Sequence, residues 1–144
     1  MGYFEDRKKM SWEGWFYAIQ RIDLLIIAIS GTGIYVALET LKYINDNSLV
    51  DSGLIKYAGV FLLFAIIVNF LSQFSGKKAN ELDIEWCELN LDYKKPSTEE
   101  QKKINKADNL SECYTTCTNW LNLISLILMF IGLGLIMFYF LINF

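Results

Sequence analysis

Apolar residues fill three long stretches of the chain, at about residues 22–41, 54–74 and 120–144, and polar segments separate them. A helix needs about 20 mainly apolar residues to cross the hydrocarbon core of a bilayer. The third stretch is the cleanest, because between residues 123 and 142 only Ser125 is frankly polar. The pattern therefore predicts an all-α integral membrane protein with transmembrane helices at 21–43, 54–75 and 119–144.

The first 20 residues are charged and aromatic, and they predict an amphipathic lead that lies on the membrane surface and runs into the first crossing. Ser11 is a candidate N-cap for this helix. Aromatic and apolar side chains then recur at helical spacing, at Trp12, Trp15, Phe16 and Ile19. Because Trp favours the headgroup layer, residues 1–20 are expected at the interface.

The lysines and arginines predict the orientation. The lead with its junction holds four of them and the polar segment 76–118 holds seven, whereas the turn expected at 44–53 is flanked by only two. Cytoplasmic segments carry the excess of basic residues. We therefore expect a multi-pass protein of the cell's inner (plasma) membrane, with a cytoplasmic N-terminus and an external or periplasmic C-terminus.

The segment 76–118 carries two apolar stripes, which predict a cytoplasmic antiparallel helical hairpin with its turn at 95–97. The first stripe is Ala79, Leu82, Trp86 and Leu89, and the second is Ile104, Ala107, Leu110 and Tyr114. Pairing the stripes in opposite directions sets two large rings against alanines, as a filled seam requires. Ser97 and Glu100 have the spacing of a capping box, which would start the second arm.

Composition excludes several classes of protein. At 53% hydrophobic residues the chain is not an ordinary soluble domain, and a net charge of −3 does not indicate nucleic-acid binding. The chain has no histidine, the commonest general base and metal ligand. Its three cysteines, Cys87, Cys113 and Cys117, lie in the predicted cytoplasmic segment, where thiols stay reduced. We expect no enzymatic activity, no cofactor and no metal.

Five polar residues of the first two crossings are candidates for function: Asp23, Ser30, Thr32, Glu39 and Asn69. Ionisable residues inside a membrane are functional by default. Asp23 and Glu39 lie 16 residues apart, near opposite ends of one helix, and point about 160° apart. Either they form interfacial ion pairs, Asp23 with Lys77 and Glu39 with Lys42 or Lys56, or a ring of one of them in an oligomer favours cations.

One face of the first crossing is rich in small and polar residues: Asp23, Ser30, Gly33, Ala37 and Thr40. Small residues let helices approach closely in lipid, so this face indicates packing, although pore lining is the alternative. In the second crossing, Asn69 is expected to hydrogen-bond to a neighbouring helix.

Charges flank the predicted hairpin on both arms. An acidic stripe follows the first arm, at Glu81, Glu85, Glu88 and Asp92, and lysines gather near the tip, at Lys94, Lys95, Lys102, Lys103 and Lys106. The plain interpretation is a solvated flank with weak ion pairs. The functional alternative is that the lysines bind an anionic ligand or the acidic surface of a cytoplasmic protein.

The order of these parts resembles the SLATT-type small membrane effectors associated with bacterial nucleotide-signalling defence. The matching stretch covers about the first two thirds of the chain: a basic, Trp-rich lead, two crossings joined by a short turn, and a long amphipathic arm from Lys77 to Tyr93. The resemblance implies oligomerisation and membrane permeabilisation upon a signal. The chain departs from that pattern by returning through residues 104–121 into a third crossing.

The leading functional hypothesis from the sequence is a homo-oligomeric channel or membrane-permeabilising effector, acting in anti-phage defence and assembled or gated through its cytoplasmic hairpin. Its motivation is the polar first crossing, the coiled-coil-like seam and the lack of catalytic groups. One alternative is a non-catalytic accessory or scaffold subunit of a larger membrane complex. Another is a holin-like lysis protein.

Overall fold

The chain folds into three long helices in the computed structural model, which describes residues 3–46, 53–92 and 97–143. Helix α1 is Tyr3–Asp46, α2 is Gly53–Asp92 and α3 is Thr98–Asn143. Each contains a stretch that is long and apolar enough to cross a membrane. The prediction of an all-α chain with three such helices is confirmed, and it suggests a membrane protein. Of the two expected turns, at 44–53 and at 95–97, residues 47–52 and 95–96 lie outside the described residues, whereas residues 44–46 and 53 belong to helices.

Helix α1 begins earlier than the sequence predicted. Its first residue is Tyr3, so Ser11 lies inside the helix and the expectation that Ser11 caps it is wrong. The reason is that residues 3–10 contain neither proline nor glycine, so nothing in them interrupts a helix that is already under way. The part of α1 that is apolar enough to span a membrane is Ile19–Asp46.

The chain divides into two compact units. Unit 1 consists of Met1–Ile66 and Leu126–Phe144, and unit 2 consists of Ile67–Ser125. Helices α2 and α3 contribute residues to both units, whereas α1 belongs to unit 1 alone.

The core of unit 1 is built around one leucine and two glycines. Leu62 of α2 is fully buried, together with apolar residues of all three helices. A Cβ placed on Gly33 of α1 would lie 2.7 Å from Leu62 Cδ1, and one on Gly132 of α3 would lie 2.6 Å from Leu62 Cγ. Both glycines therefore leave the space that the Leu62 side chain occupies. Such close helix contacts are what small residues permit in an apolar solvent.

Within unit 2, α2 and α3 run antiparallel. The hydroxyl of Ser72 lies 3.1 Å from the carbonyl oxygen of Thr118, and seven residues further along α2 the carbonyl of Ala79 accepts a hydrogen bond from Ser111. Seven residues forward on one helix thus correspond to seven residues back on the other. Between these two contacts, the Ser75 hydroxyl donates to the carbonyl of Tyr114.

The start of α3 has the capping box that the sequence predicted. The Ser97 backbone N–H donates to the Glu100 carboxylate at 2.7 Å, and the Glu100 backbone N–H donates to the Ser97 hydroxyl at 3.4 Å. The prediction of this capping box is confirmed. Glu99 and Glu100 also place negative charge in the first turn, where the helix dipole favours it.

Candidate functional site

The outer face of α1 carries two of the predicted polar residues. Thr32 and Glu39 are both exposed, and seven residues, or nearly two full turns, separate them, so they lie on the same side of the helix. Beside Thr32, α1 and α3 enclose an open apolar groove of about 330 Å³, the α1 groove, whose walls include Ala28, Val36 and Ile136. The Thr32 hydroxyl donates to the Ala28 carbonyl oxygen at 2.9 Å, and its oxygen can still accept hydrogen bonds.

The small-residue face of α1 lies inside unit 1. Ser30, Gly33 and Ala37 are buried. Thr40 is half-buried, and its hydroxyl donates a hydrogen bond to the carbonyl oxygen of Val36. The close approach of the Leu62 side chain explains why a glycine stands at position 33. The structure therefore favours the packing interpretation of this face over pore lining. Asp23 lies at the edge of the same face and is half-buried.

Ser30 has an unusual environment. Its side chain is fully buried, and its hydroxyl has no hydrogen-bond partner among the residues that the structure describes. An unsatisfied buried hydroxyl costs about 1–3 kcal/mol. The serine side chain is small, which is compatible with close approach of the helices at this position.

A buried polar cluster joins α2 and α3 in unit 2, where the apolar part of each helix gives way to its charged part. The Ser72 hydroxyl lies 2.5 Å from the Asn122 side-chain oxygen and 3.1 Å from the Thr118 carbonyl. The Ser125 hydroxyl donates to the Asn122 carbonyl at 2.8 Å. A hydroxyl has one proton, so Ser72 donates to one of the two oxygens, or accepts from the Asn122 amide turned by 180°.

Asn69 belongs to the same region of α2 and is fully buried. Its side-chain oxygen accepts a hydrogen bond of 3.1 Å from Gln73, one turn further along α2. Sequence reasoning singled out Asn69 but missed Ser72 and Asn122. Their spacing was the available signal, because Asn69 and Ser72 are three residues apart on one helix, and Thr118 and Asn122 are four apart on the other.

The predicted hairpin seam is buried only in part. Ala79, Leu82, Ile104 and Ala107 are buried, and Trp86 and Leu89 are half-buried. Leu110 and Tyr114 retain 38% and 37% of their accessible surface. Between them Ser111 is buried and bonds to Ala79. The contact line of α3 therefore runs from Ala107 to Ser111, and the part of the apolar stripe that begins at Leu110 lies beside it.

This offset leaves an open groove of about 320 Å³ along one side of unit 2, the hairpin groove. Its apolar walls are Leu82 and Leu89 of α2 with Ala107 and Leu110 of α3. Three charged residues line it as well, Glu85 from α2 and Lys103 and Lys106 from α3. Two of the five lysines proposed for an anionic ligand thus share a groove with a carboxylate.

The other charged residues that the structure describes in unit 2 are exposed, except Glu100, which is half-buried. Lys77 and Lys78 contact Glu81 at 3.7 and 3.1 Å, and these exposed pairs are worth little. The hydrogen bond and charge of Lys78 lower the pKa of Glu81 below its usual range. Lys102 is exposed, and Lys94 and Lys95 lie outside the described residues. The three cysteines are exposed and unpaired by disulfides.

Within residues 3–46, 53–92 and 97–143, no group of three acidic or cysteine side chains is arranged to hold a metal ion. No protein family, no curated protein and no solved structure matches this chain.

Proposed function

We propose that the chain is a membrane protein whose copies assemble into an ion-permeable homo-oligomer, with the outer face of α1 lining the path. The observation that carries this proposal is the exposure of Thr32 and Glu39 on one face of an apolar helix. A carboxylate that faces lipid is costly, so ionisable residues of membrane helices turn toward a protein interior or a water-filled cavity. An oligomer that turns this face inward would provide such a cavity.

The interior of unit 1 supports a path between copies rather than through one copy. Leu62 fills the space beside Gly33 and Gly132, so the core leaves no lumen at that level. Ser30 is likewise enclosed by packing. Among the residues predicted for a pore, Thr32 and Glu39 are the exposed ones, which a second copy could reach. A ring of Glu39 carboxylates would favour cations.

The test is ion flux through liposomes that contain the purified protein. Glu39→Gln removes the charge at nearly constant size, so cation flux and cation preference are expected to fall several-fold. Glu112→Gln is the matched control, because Glu112 is an exposed glutamate of unit 2 outside the apolar stretches, and it should leave the flux unchanged.

The proposal fails if no ions pass under any trigger tested and the purified protein is a monomer. Stoichiometric recovery of different polypeptides from native membranes would instead favour the accessory or scaffold subunit. Killing of the host by expression alone, without a signal, would favour the holin-like lysis protein over a triggered defence effector.

The orientation is also a proposal, and the native cysteines test it. Lys and Arg counts favour a cytoplasmic unit 2, and Cys87, Cys113 and Cys117 are all exposed there. A membrane-impermeant maleimide is therefore expected to label the protein in inside-out vesicles and not in intact spheroplasts. A triple Cys→Ser variant gives the background signal. Labelling in intact spheroplasts would reverse the proposed topology.

A further inference from the structure

We propose that the hairpin groove is the surface through which two copies of this chain pair, with Glu85 of one copy facing Lys106 of the other. This inference rests on the homo-oligomer proposed above and names the surface that assembles it. The groove combines a self-complementary set of charges with half-buried leucines, which are the properties that a symmetric interface needs.

The first step is that the groove is incomplete in a single chain. Leu110 keeps 38% of its surface exposed, and Leu89 is half-buried. Glu85 and Lys106 line the same groove, and among the residues that the structure describes neither takes part in an ion pair. Both the apolar and the charged surfaces of the groove are thus left for a partner.

The second step is the symmetry. Copies inserted into one membrane share an orientation, so a two-fold axis that relates them lies along the membrane normal. Rotation about such an axis leaves the distance of each residue from the membrane unchanged. It places α2 of one copy beside α3 of the other. Residues that are level with each other within one chain are therefore also level across the dimer.

The third step is the register. Ala79 is level with Ser111 in the chain, because Ser111 donates to the Ala79 carbonyl. Glu85 lies six residues beyond Ala79, so it is level with Asn105, six residues before Ser111 and adjacent to Lys106. One residue is about 1.5 Å along the axis, which is well within the reach of the Lys106 side chain. Each dimer then contains two Glu85–Lys106 pairs.

A second copy fits this groove better than a free anionic ligand does. Glu85 stands beside the two lysines and would repel an anion bound between them. A partner that brings both a lysine and a carboxylate at the same height pairs with Glu85 and with Lys106. The same chain supplies that arrangement.

The experiment uses full-length copies carrying two different affinity tags, co-expressed and extracted in mild detergent. Glu85→Lys in both copies, or Lys106→Glu in both copies, turns each pair from attraction to repulsion. Co-purification is expected to weaken on the order of tenfold, because two exposed pairs change together. Asp83→Lys is the matched control: it makes the same charge change on the opposite side of α2 and should leave co-purification intact.

The decisive arm combines one Glu85→Lys copy with one Lys106→Glu copy. In that mixed dimer both interfaces recover opposite charges, whereas the pair within each chain remains repulsive. Restored co-purification supports pairing between copies. If the mixed arm stays weak, or if neither single variant reduces co-purification, the proposal is overturned.

The outcome is independent of conduction. If the copies pair as described but pass no ions, the proposed function is contradicted and the pairing through the hairpin groove is supported. If the protein conducts ions and these substitutions do not change co-purification, only the pairing through the hairpin groove is contradicted.

Discussion

The two units of this chain hold their helices together by different means. In unit 1, Gly33 and Gly132 make room for Leu62, and the contact is apolar. In unit 2, serine hydroxyls of one helix bond to carbonyls of the other, at Ser72, Ser75 and Ser111. Close apolar packing stabilises unit 1, whereas hydrogen bonds between small residues stabilise unit 2. Small residues at close helix contacts, as in unit 1, are typical of helices that pack against each other in lipid.

The largest expected effect comes from filling the space that a glycine leaves in unit 1. Gly132→Ala adds a Cβ that would meet Leu62 Cγ at 2.6 Å and the Ala58 carbonyl oxygen at 3.2 Å. Overpacking of this kind costs about 1–3 kcal/mol. We expect a lower midpoint of thermal unfolding in detergent micelles, measured by circular dichroism.

Gly134→Ala is the matched control for that substitution, two residues further along α3, because nothing lies within 4 Å of its new Cβ. It should be neutral or slightly stabilising, since alanine is the better helix former. Equal changes in the unfolding midpoint for Gly132→Ala and Gly134→Ala would contradict the proposal that close packing around Leu62 stabilises unit 1.

The next effect concerns the polar cluster of unit 2. Asn122→Ala removes the side chain that contacts the Ser72 hydroxyl, and the expected cost is about 0.6–1.7 kcal/mol. Hydrogen exchange measured by mass spectrometry should show faster exchange of residues 67–75 and 114–125. Asn119→Ala, at an exposed position on the same helix, is the control and should leave exchange unchanged. Faster exchange confined to unit 1 would contradict the assignment.

A smaller effect is expected at the start of α3. Ser97→Ala removes the capping hydroxyl and should cost about 1 kcal/mol, seen as faster exchange in the first turns of α3. Thr98→Ala, the neighbouring exposed hydroxyl, is the control. An equal effect at both positions would show that the capping box contributes nothing particular.

The smallest effect is the pH dependence of the same cap. Hydrogen bonds from the Ser97 backbone and hydroxyl lower the pKa of Glu100 below its ordinary value of 4.5. A lowered pKa in the folded chain means that the stabilisation is fully present above pH 4.5 and is lost as the pH falls through the folded pKa. Exchange in the first turn of α3 should therefore rise in mild acid. Glu100→Gln should abolish that rise, and Glu99→Gln should not.

The contrast between the units also explains which sequence predictions were easy. The three apolar helices could be predicted because each contains a run of about 20 mainly apolar residues, the length of a helix that can span a bilayer. The capping box was readable because its bonds join residues three apart. The start of α1 was not, because a candidate cap such as Ser11 does not end a helix that already runs through it.

The seam of unit 2 shows the limit of periodicity. The apolar stripe of α3 has helical spacing at Ile104, Ala107, Leu110 and Tyr114. After Ala107, however, the buried residue of α3 is Ser111, and Leu110 remains partly exposed. A hydroxyl that bonds to the Ala79 carbonyl allows two helices to approach more closely than a leucine does. The spacing of apolar residues does not predict such a contact, because the residue that makes it is small and polar.

The sequence by itself determined the three apolar helices, the cap of α3 and the distribution of positive charge, because these depend on local composition and on neighbours a few residues apart. The tertiary structure decided between packing and pore lining for the small-residue face of α1. Ser30 and Gly33 lie inside, where Leu62 of α2 fills the space beside Gly33, and Thr32 and Glu39 lie outside. The same contacts across helices decided that Leu110 borders an open groove rather than filling a seam.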